Sequence, residues 1–352
     1  MLFGDVKKSL LLIGNFLSRT LGLQGASEDL AWQLSQVGWK VITASDRPRR
    51  LPRLFDMITT AWQRRQEYDV AYVDVYSDKP FFWGEAVSLI LRLAGKPYIL
   101  TLRGGALPSF ARRWPGRVIR LLKSAVAVVT PSPYLLEKMK PYRRDLRIIP
   151  NGLNLQSYPP KIRVRPQPHL VWLRAFHTIY NPTLAPRVLS LLHKEFPDIN
   201  LVMVGPDKED GSLSQTQQTA SDLGVANIVG FPGQVSKEEV PLWLQKGDIF
   251  LNTTNVDNTP VSVIEAMACG LCIVSTDVGG IPYLLQHEHD ALLVPPDDAE
   301  AMASAVKRIL TEPGLAARLS RNARQKAEGF DWAVVLPKWQ ELFTLVAERH
   351  EF

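Results

Sequence analysis

The sequence predicts an α/β protein made of two doubly wound domains, each built on a parallel sheet. Three observations predict it. Short β-type runs alternate with amphipathic helical patterns, and the alternation occurs twice along the 352 residues. The runs are continuously apolar rather than alternating, as expected of strands covered by helices on both faces. A proline-rich stretch and a reversal of charge separate the two series.

In the first half, strands are expected at LLLIG, KVITA, DVAYVDV, YILTL, VAVVT and RIIP; in the second half, at LVWLR, NLVMVG, NIVGF, DIFLN, CIVST and ALLVP. Between them, ASEDLAWQLSQVG, LAPRVLSLLHKEF and AEAMASAVKRIL carry helical periodicity. In the last of these, Ala301, Met302, Ala305, Val306 and Ile309 fall on one side. The boundary lies in NGLNLQSYPPKIRVRPQPHL, where Pro159, Pro160, Pro166 and Pro168 favour an extended linker without helix or packed strand. The expected division is residues 1–165, residues 166–330 and a helical tail over 331–352 that packs back toward the first domain.

Hydrophobic residues make up 46% and charged residues 22%, a composition suited to a soluble chain. The apolar window FFWGEAVSLILRLAGKPYILTL is interrupted by Glu85, Arg92 and Lys96, so no membrane span is expected. KKSLLLIGNF is too short for a signal peptide and reads as a first strand. Two cysteines do not make a disulfide scaffold, and a reducing cytoplasm is the expected location. Residues 1–165 hold 27 Lys and Arg against 12 Asp and Glu; residues 166–352 hold 14 against 23. The basic half suits an anionic acceptor or a membrane surface. Nucleic acid is not expected, since no recognition fold accompanies the charge.

The stretch NVDNTPVSVIEAMACGLC places one carboxylate, Glu265, inside an apolar run. Asn258 and Thr259 suit a helix N-cap and Pro260 the first helical position. That helix follows DIFLN at the carboxyl edge of a parallel sheet, where open α/β folds bind ligands and where free N–H groups favour phosphate or sugar oxygens. Helical spacing puts Val261, Ile264 and Ala268 on a sheet-facing side and Ser262, Glu265 and Cys269 on the other. Glu265 then reads either as an acceptor for vicinal hydroxyls or as a carboxylate paired with an Arg or Lys. CGLC is a formal Cys-x-x-Cys, but Cys269 stands near a helix end, Cys272 enters a strand, and no second ligand pair exists for zinc. His287 and His289 lie in a polar connection and read as solvated.

DNTPVSVIEAMACGLCIVSTDVGGIPYLL, with DALLVPPDD after it, closely resembles the donor-site signature of family-4-type retaining glycosyltransferases of GT-B architecture. The pattern is two acids with seven residues between them, an Ala-Met-Ala helix, a strand and a Gly-Gly-x-Pro turn; the acids here are Asp257 and Glu265. The resemblance is clearest from Leu170 onward. It implies two Rossmann-like domains facing across a cleft, a nucleotide-sugar donor, a saccharide or lipid-linked acceptor, and no bound metal or other cofactor. It implies that Glu265 holds ribose hydroxyls, that Asp257 contacts the transferred sugar, and that Asn258, Thr259, Pro260 and Val261 border the donor. The backbone N–H groups at Thr259 and Val261 would face the sugar or diphosphate, whereas Pro260 has none to offer. Arg174, at the end of LVWLR, stands at the family's position for a diphosphate-binding arginine; a surface arginine after a strand is the competing reading.

Two departures matter. The Lys-Gly that usually follows that arginine is missing from RAFHTIYNP, leaving Tyr180 or His177 as replacements. TLRGGALP has Arg103 where the family carries His-Gly, so Arg103 is expected either to reach acceptor or diphosphate or to be an ordinary turn residue. In GNFLSRTLGLQGASEDLA, Gly22 and Gly25 are expected to let backbone approach the sugar phosphate. In PSFARRWPGRVIRLLKSAVAVV, arginines at 112, 113, 117 and 120 beside Phe110 and Trp114 read as a peripheral site on the inner face of a membrane or as a solvated helix face. The expected activity is sugar transfer in polysaccharide or glycoconjugate biosynthesis. A nucleotide-sugar 2-epimerase of the same architecture and a non-catalytic glycosyltransferase-like partner are the alternatives.

Overall fold

The structure is a computed structural model and describes residues 9–18 and 25–348. The chain divides into two compact units, Met1–Gly152 with Trp332–Phe352, and Leu153–Asp331. The Pro-rich segment 159–168 therefore lies within the second unit.

The first unit carries β1 (Ser9–Ile13), β2 (Lys40–Ala44), β3 (Val70–Val75), β4 (Tyr98–Leu102), β5 (Ala127–Thr130) and β6 (Arg147–Ile148) in one parallel sheet, ordered β2-β1-β3-β4-β5-β6. Every residue of β1, β3, β4 and β5 is buried, which is why these runs are largely apolar, with Ser9, Asp74, Thr101 and Thr130 as buried polar exceptions. Helices Arg50–Gln63, Lys79–Leu93 and Pro115–Ser124 follow successive crossovers in one direction, which right-handed connection places on one face of the sheet. The other face is covered by Ala26–Gln36 and the C-terminal helix Trp332–Glu348. There Trp339 meets Tyr72 edge-on at 5.5 Å and Phe343 meets Trp39 at 5.7 Å. The tail is one helix of 17 residues with Pro337 inside it.

The second unit carries β7 (His169–Leu173), β8 (Asn200–Val204), β9 (Val229–Gly233), β10 (Ile249–Asn252), β11 (Cys272–Thr276) and β12 (Leu292–Val294), ordered β12-β11-β10-β7-β8-β9. All twelve expected strands are present. The order reverses between β1 and β3 in the first unit and between β7 and β10 in the second, and in open parallel sheets such switch points open the crevice that takes a ligand.

Segment 159–168 has no helix or strand, but it is fixed in place. Arg163 is wholly buried in its side chain and donates from Nε to Asp248 at 3.1 Å and from Nη2 to the Gly247 carbonyl at 3.0 Å.

Candidate functional site

The second unit's switch point gathers Arg174, directly after β7, and the 253–260 loop after β10. Arg174 keeps strand pairing through its N–H to the Val204 carbonyl at 3.0 Å. Gly205 crosses its backbone so closely that a Cβ there would lie 1.8 Å from the Arg174 carbonyl oxygen, and its φ of +150 adds to the demand for glycine. The guanidinium lies 4.3 Å from the Tyr180 ring centre and donates from Nη2 to Asp257 at 2.5 Å. Its Nε is buried and has no partner. Tyr180 is held through its carbonyl, which accepts from Thr253 Oγ1 at 2.7 Å, while Asn255 donates to the Ile179 carbonyl at 2.8 Å. Tyr180 thus supports Arg174 from beneath. His177 turns inward on its own 3₁₀ turn, accepting from the Ile179 N–H at 3.1 Å.

Asp257 accepts from the Asn258 N–H at 2.8 Å as well as from Arg174, and burial pushes its carboxyl above the usual range against the pull of that guanidinium. The Gly279–Gly280 pair explains the Gly-Gly-x-Pro turn. A Cβ on Gly279 would lie 2.2 Å from the Asp257 carbonyl oxygen, and one on Gly280 would lie 1.9 Å from that of Asn258. The turn therefore closes backbone against backbone on the loop that carries both residues.

The helix after this loop is Val261–Ala268, one residue later than expected. Pro260 is its N-cap, with an extended ψ of 122, and no side chain caps it; neither Asn258 nor Thr259 serves as the cap. The expected faces are corrected too. Val261 is exposed, whereas Ser262 and every later residue of the helix is buried and Cys269 is fully enclosed. The first-turn N–H groups of this helix have no intrahelical acceptor. Asn258 Oδ1 and Ser262 Oγ, both buried, have no partner either. Three orphaned polar atoms, counting Arg174 Nε, thus surround one helix N-terminus.

Glu265 is buried and accepts from the Tyr158 hydroxyl at 2.7 Å. Tyr158 went unread in the sequence because its only local signal was a proline-rich context. The cysteines are free, and burial pushes both thiols up to about 12, which leaves them inert. Among the described residues no group of three His, Cys, Asp or Glu side chains comes together as a metal site would require. His287 and His289 are about half exposed.

In the first unit Arg103 is pinned. It donates to Asp74 at 2.7 Å, Tyr72 at 2.8 Å and Asn151 at 2.6 Å, and its side chain is 11% exposed. Gly25 is the N-cap of Ala26–Gln36 at an ordinary φ of −104, its N–H 3.4 Å from Glu28. Gly22 lies outside the described residues. In segment 107–123, Phe110, Val118, Leu121 and Leu122 are buried and Ile119 is partly buried, so most of the apolar side of this basic stretch belongs to the core, whereas Trp114 is exposed.

Residues 165–326 match the family described as glycosyl transferases group 1, and residues 24–157 match glycosyltransferase family 4. Among curated relatives, the D-inositol 3-phosphate glycosyltransferase of Streptomyces avermitilis is 25% identical over 76% of this chain, a match that spans 62% of that relative's length. The protein of that name from an Arthrobacter species is 23% identical over 82% of this chain and 76% of its own. Among solved structures, the sucrose-phosphate synthase of Thermosynechococcus elongatus superposes with a TM-score of 0.75 at 20% identity, over 97% of this chain and all of that one. Anabaena Alr3699/HepE in complex with UDP-glucose gives 0.74 at 17% identity, over 96% and 99%.

Proposed function

The chain belongs to the group 1 glycosyl transferases and has the GT-B fold, and we propose that it moves a sugar from a nucleotide-sugar donor to a saccharide or lipid-linked acceptor with retention at the anomeric carbon. The observation that carries this reading is the set of buried, unpartnered polar atoms on Arg174, Asn258 and Ser262 around the N-terminus of Val261–Ala268. Buried polar groups are rarely left unsatisfied, and together these offer donors and acceptors to an anionic, hydroxyl-rich ligand. The UDP-sugar complex of the Anabaena neighbour supports the choice of donor class.

Arg174 and the first-turn amides meet the diphosphate charge as it develops on the leaving group, without a resident metal. Asp257 orients both Arg174 and sugar hydroxyls, and Glu265, braced by Tyr158, takes the ribose. A panel of UDP-, GDP- and ADP-sugars tests this by thermal shift. One member at about 100 times its dissociation constant is expected to add about 2.7 kcal/mol, roughly 5 °C. The shift should shrink in Asn258→Ala, and the product's anomeric configuration by NMR should match the donor's. A panel without any shift, or a shift untouched by Asn258→Ala, overturns the reading.

The acceptor side bears on location. Among the described residues no helix is long and apolar enough to cross a membrane. Helices Arg50–Gln63, Lys79–Leu93 and Pro115–Ser124 pack side by side. Their outward faces expose Leu51 at 80% and Phe55 at 70%, then Trp62, Phe82, Leu89 and Leu93, with Trp114 before the third helix. Arg113, Arg117, Arg120 and Lys123 stand on or beside that third helix. Aromatic residues ringed by cations suit the interface of an anionic bilayer, and peripheral membrane contact through this face is part of the proposal. Wild type is expected to sediment with anionic liposomes and Leu51→Glu/Phe55→Glu to stay in solution; equal sedimentation of the two removes this part.

A further inference from the structure

A cavity of about 580 Å³ opens at the switch point of the first unit, between the ends of β1 and β3 and the helices Arg50–Gln63 and Lys79–Leu93. Arg53 lines it and is 9% exposed. Its Nε donates to the Arg47 carbonyl at 2.7 Å, Nη1 to Asn15 Oδ1 at 2.9 Å and Nη2 to the Pro48 carbonyl at 2.9 Å. All three acceptors are neutral, and among the described residues no carboxylate pairs with this guanidinium. The charge that acts on it is that of Arg50, of the same sign. A buried cation without a counter-ion is costly, and the fold has arranged neutral acceptors to hold this one in place rather than an acid to neutralise it.

Arg50 and Lys79 line the same cavity and are exposed. Two carboxylates also border it. Asp74 is taken by Arg103 at 2.7 Å and by the Tyr72 hydroxyl at 2.8 Å, and Asp78 is exposed. The cavity thus presents three cations against one carboxylate without a cationic partner. Its remaining wall is mostly apolar, with Met57, Trp83 and Val87 among the lining residues beside the polar Asn15 and Tyr76.

We propose that this cavity binds an amphipathic anion, a phosphate monoester on an apolar body. The phosphate sits among Arg50, Arg53 and Lys79, and the body lies against Met57, Trp83 and Val87. That this ligand is the acceptor, or the carrier to which the acceptor is linked, rests on the glycosyltransferase reading; the binding itself does not. An acceptor of this class would present its reactive hydroxyl beyond the cavity mouth.

Isothermal titration with hexyl phosphate, hexyl glucoside, glucose 1-phosphate and inorganic phosphate tests the proposal. Hexyl phosphate is expected to bind at least about tenfold more tightly than each of the others, because it alone satisfies both halves of the site. Arg50→Gln/Lys79→Gln changes only exposed side chains and should weaken hexyl phosphate at least about tenfold while leaving the nucleotide-sugar thermal shift intact. Glucose 1-phosphate binding as tightly as hexyl phosphate overturns the apolar half. Hexyl glucoside doing so overturns the anionic half. A double variant that binds hexyl phosphate like wild type overturns the placement. Loss of the nucleotide-sugar shift alone counts against the donor reading and leaves this site standing.

Discussion

Arg174→Met is expected to lower kcat by about 10²–10³-fold, or about 2.7–4 kcal/mol of transition-state stabilisation, with a much smaller change in the donor KM. The split follows from where the charge appears. Under the proposed function the bound sugar nucleotide would already be held by ribose and sugar contacts, whereas the bond that breaks would add negative charge to the diphosphate facing this guanidinium. Arg174 is suited to that role by its setting. It stacks on Tyr180 at 4.3 Å, is oriented by Asp257, and keeps a buried Nε without a partner. Arg174→Lys restores the charge but neither the planar stack nor the fork, and should recover only part of the loss. Asp257 complicates the methionine variant, because removing its cation leaves a carboxylate only 9% exposed to take up a proton. Asp257→Asn/Arg174→Met removes that complication and should be as slow as Arg174→Met. A methionine variant within about tenfold of wild-type kcat/KM would falsify the assignment.

The strands were legible because a buried parallel strand is an apolar run bounded by polar turns, and all twelve lie where such runs occur. Arg174, Asp257 and the Gly-Gly turn were legible as a motif, and the structure brings them together around one loop. What the sequence hid is tertiary. The start of Val261–Ala268 was misplaced by one residue because Pro260 fits both N-cap and first position, and only its extended ψ decides. Helical periodicity misassigned Val261 because this helix is buried all round beyond its first residue, so no polar stripe marks its outer face. The Tyr158–Glu265 bond joins residues 107 apart, and no local pattern signals such a pairing. Arg103 reads in the sequence as a group reaching acceptor or diphosphate or as an ordinary turn residue; its partner Asp74 sits 29 residues earlier, inside an otherwise largely apolar strand. Gly205 was visible at a strand end; that it clears the Arg174 carbonyl is visible only in space.

Asp248→Ala is expected to cost about 3–5 kcal/mol of stability, the loss usual when one member of a buried ion pair is removed. Asp248 stands just before β10, and its two oxygens receive Arg163 Nε at 3.1 Å and the Gln167 N–H at 2.8 Å. Without it, the Arg163 guanidinium is enclosed among carbonyls, including that of Cys269 at 2.5 Å, with no negative charge in reach. Arg163→Met should cost less. It leaves Asp248 with the Gln167 N–H and with Lys161, whose ammonium lies 3.4 Å away and is exposed enough to swing in. The double variant Asp248→Ala/Arg163→Met buries no charge and should recover most of the loss, giving a coupling on the order of 2–3 kcal/mol in urea unfolding. The asymmetry between the two single variants is the diagnostic result. If the pair were an exposed tether on a mobile linker, both would cost under about 1 kcal/mol and their effects would add. A large loss confined to Asp248→Ala means that segment 159–168 is a built part of the second unit. Within that unit the donation from Arg163 Nη1 to the Cys269 carbonyl joins the segment to the residue that ends Val261–Ala268.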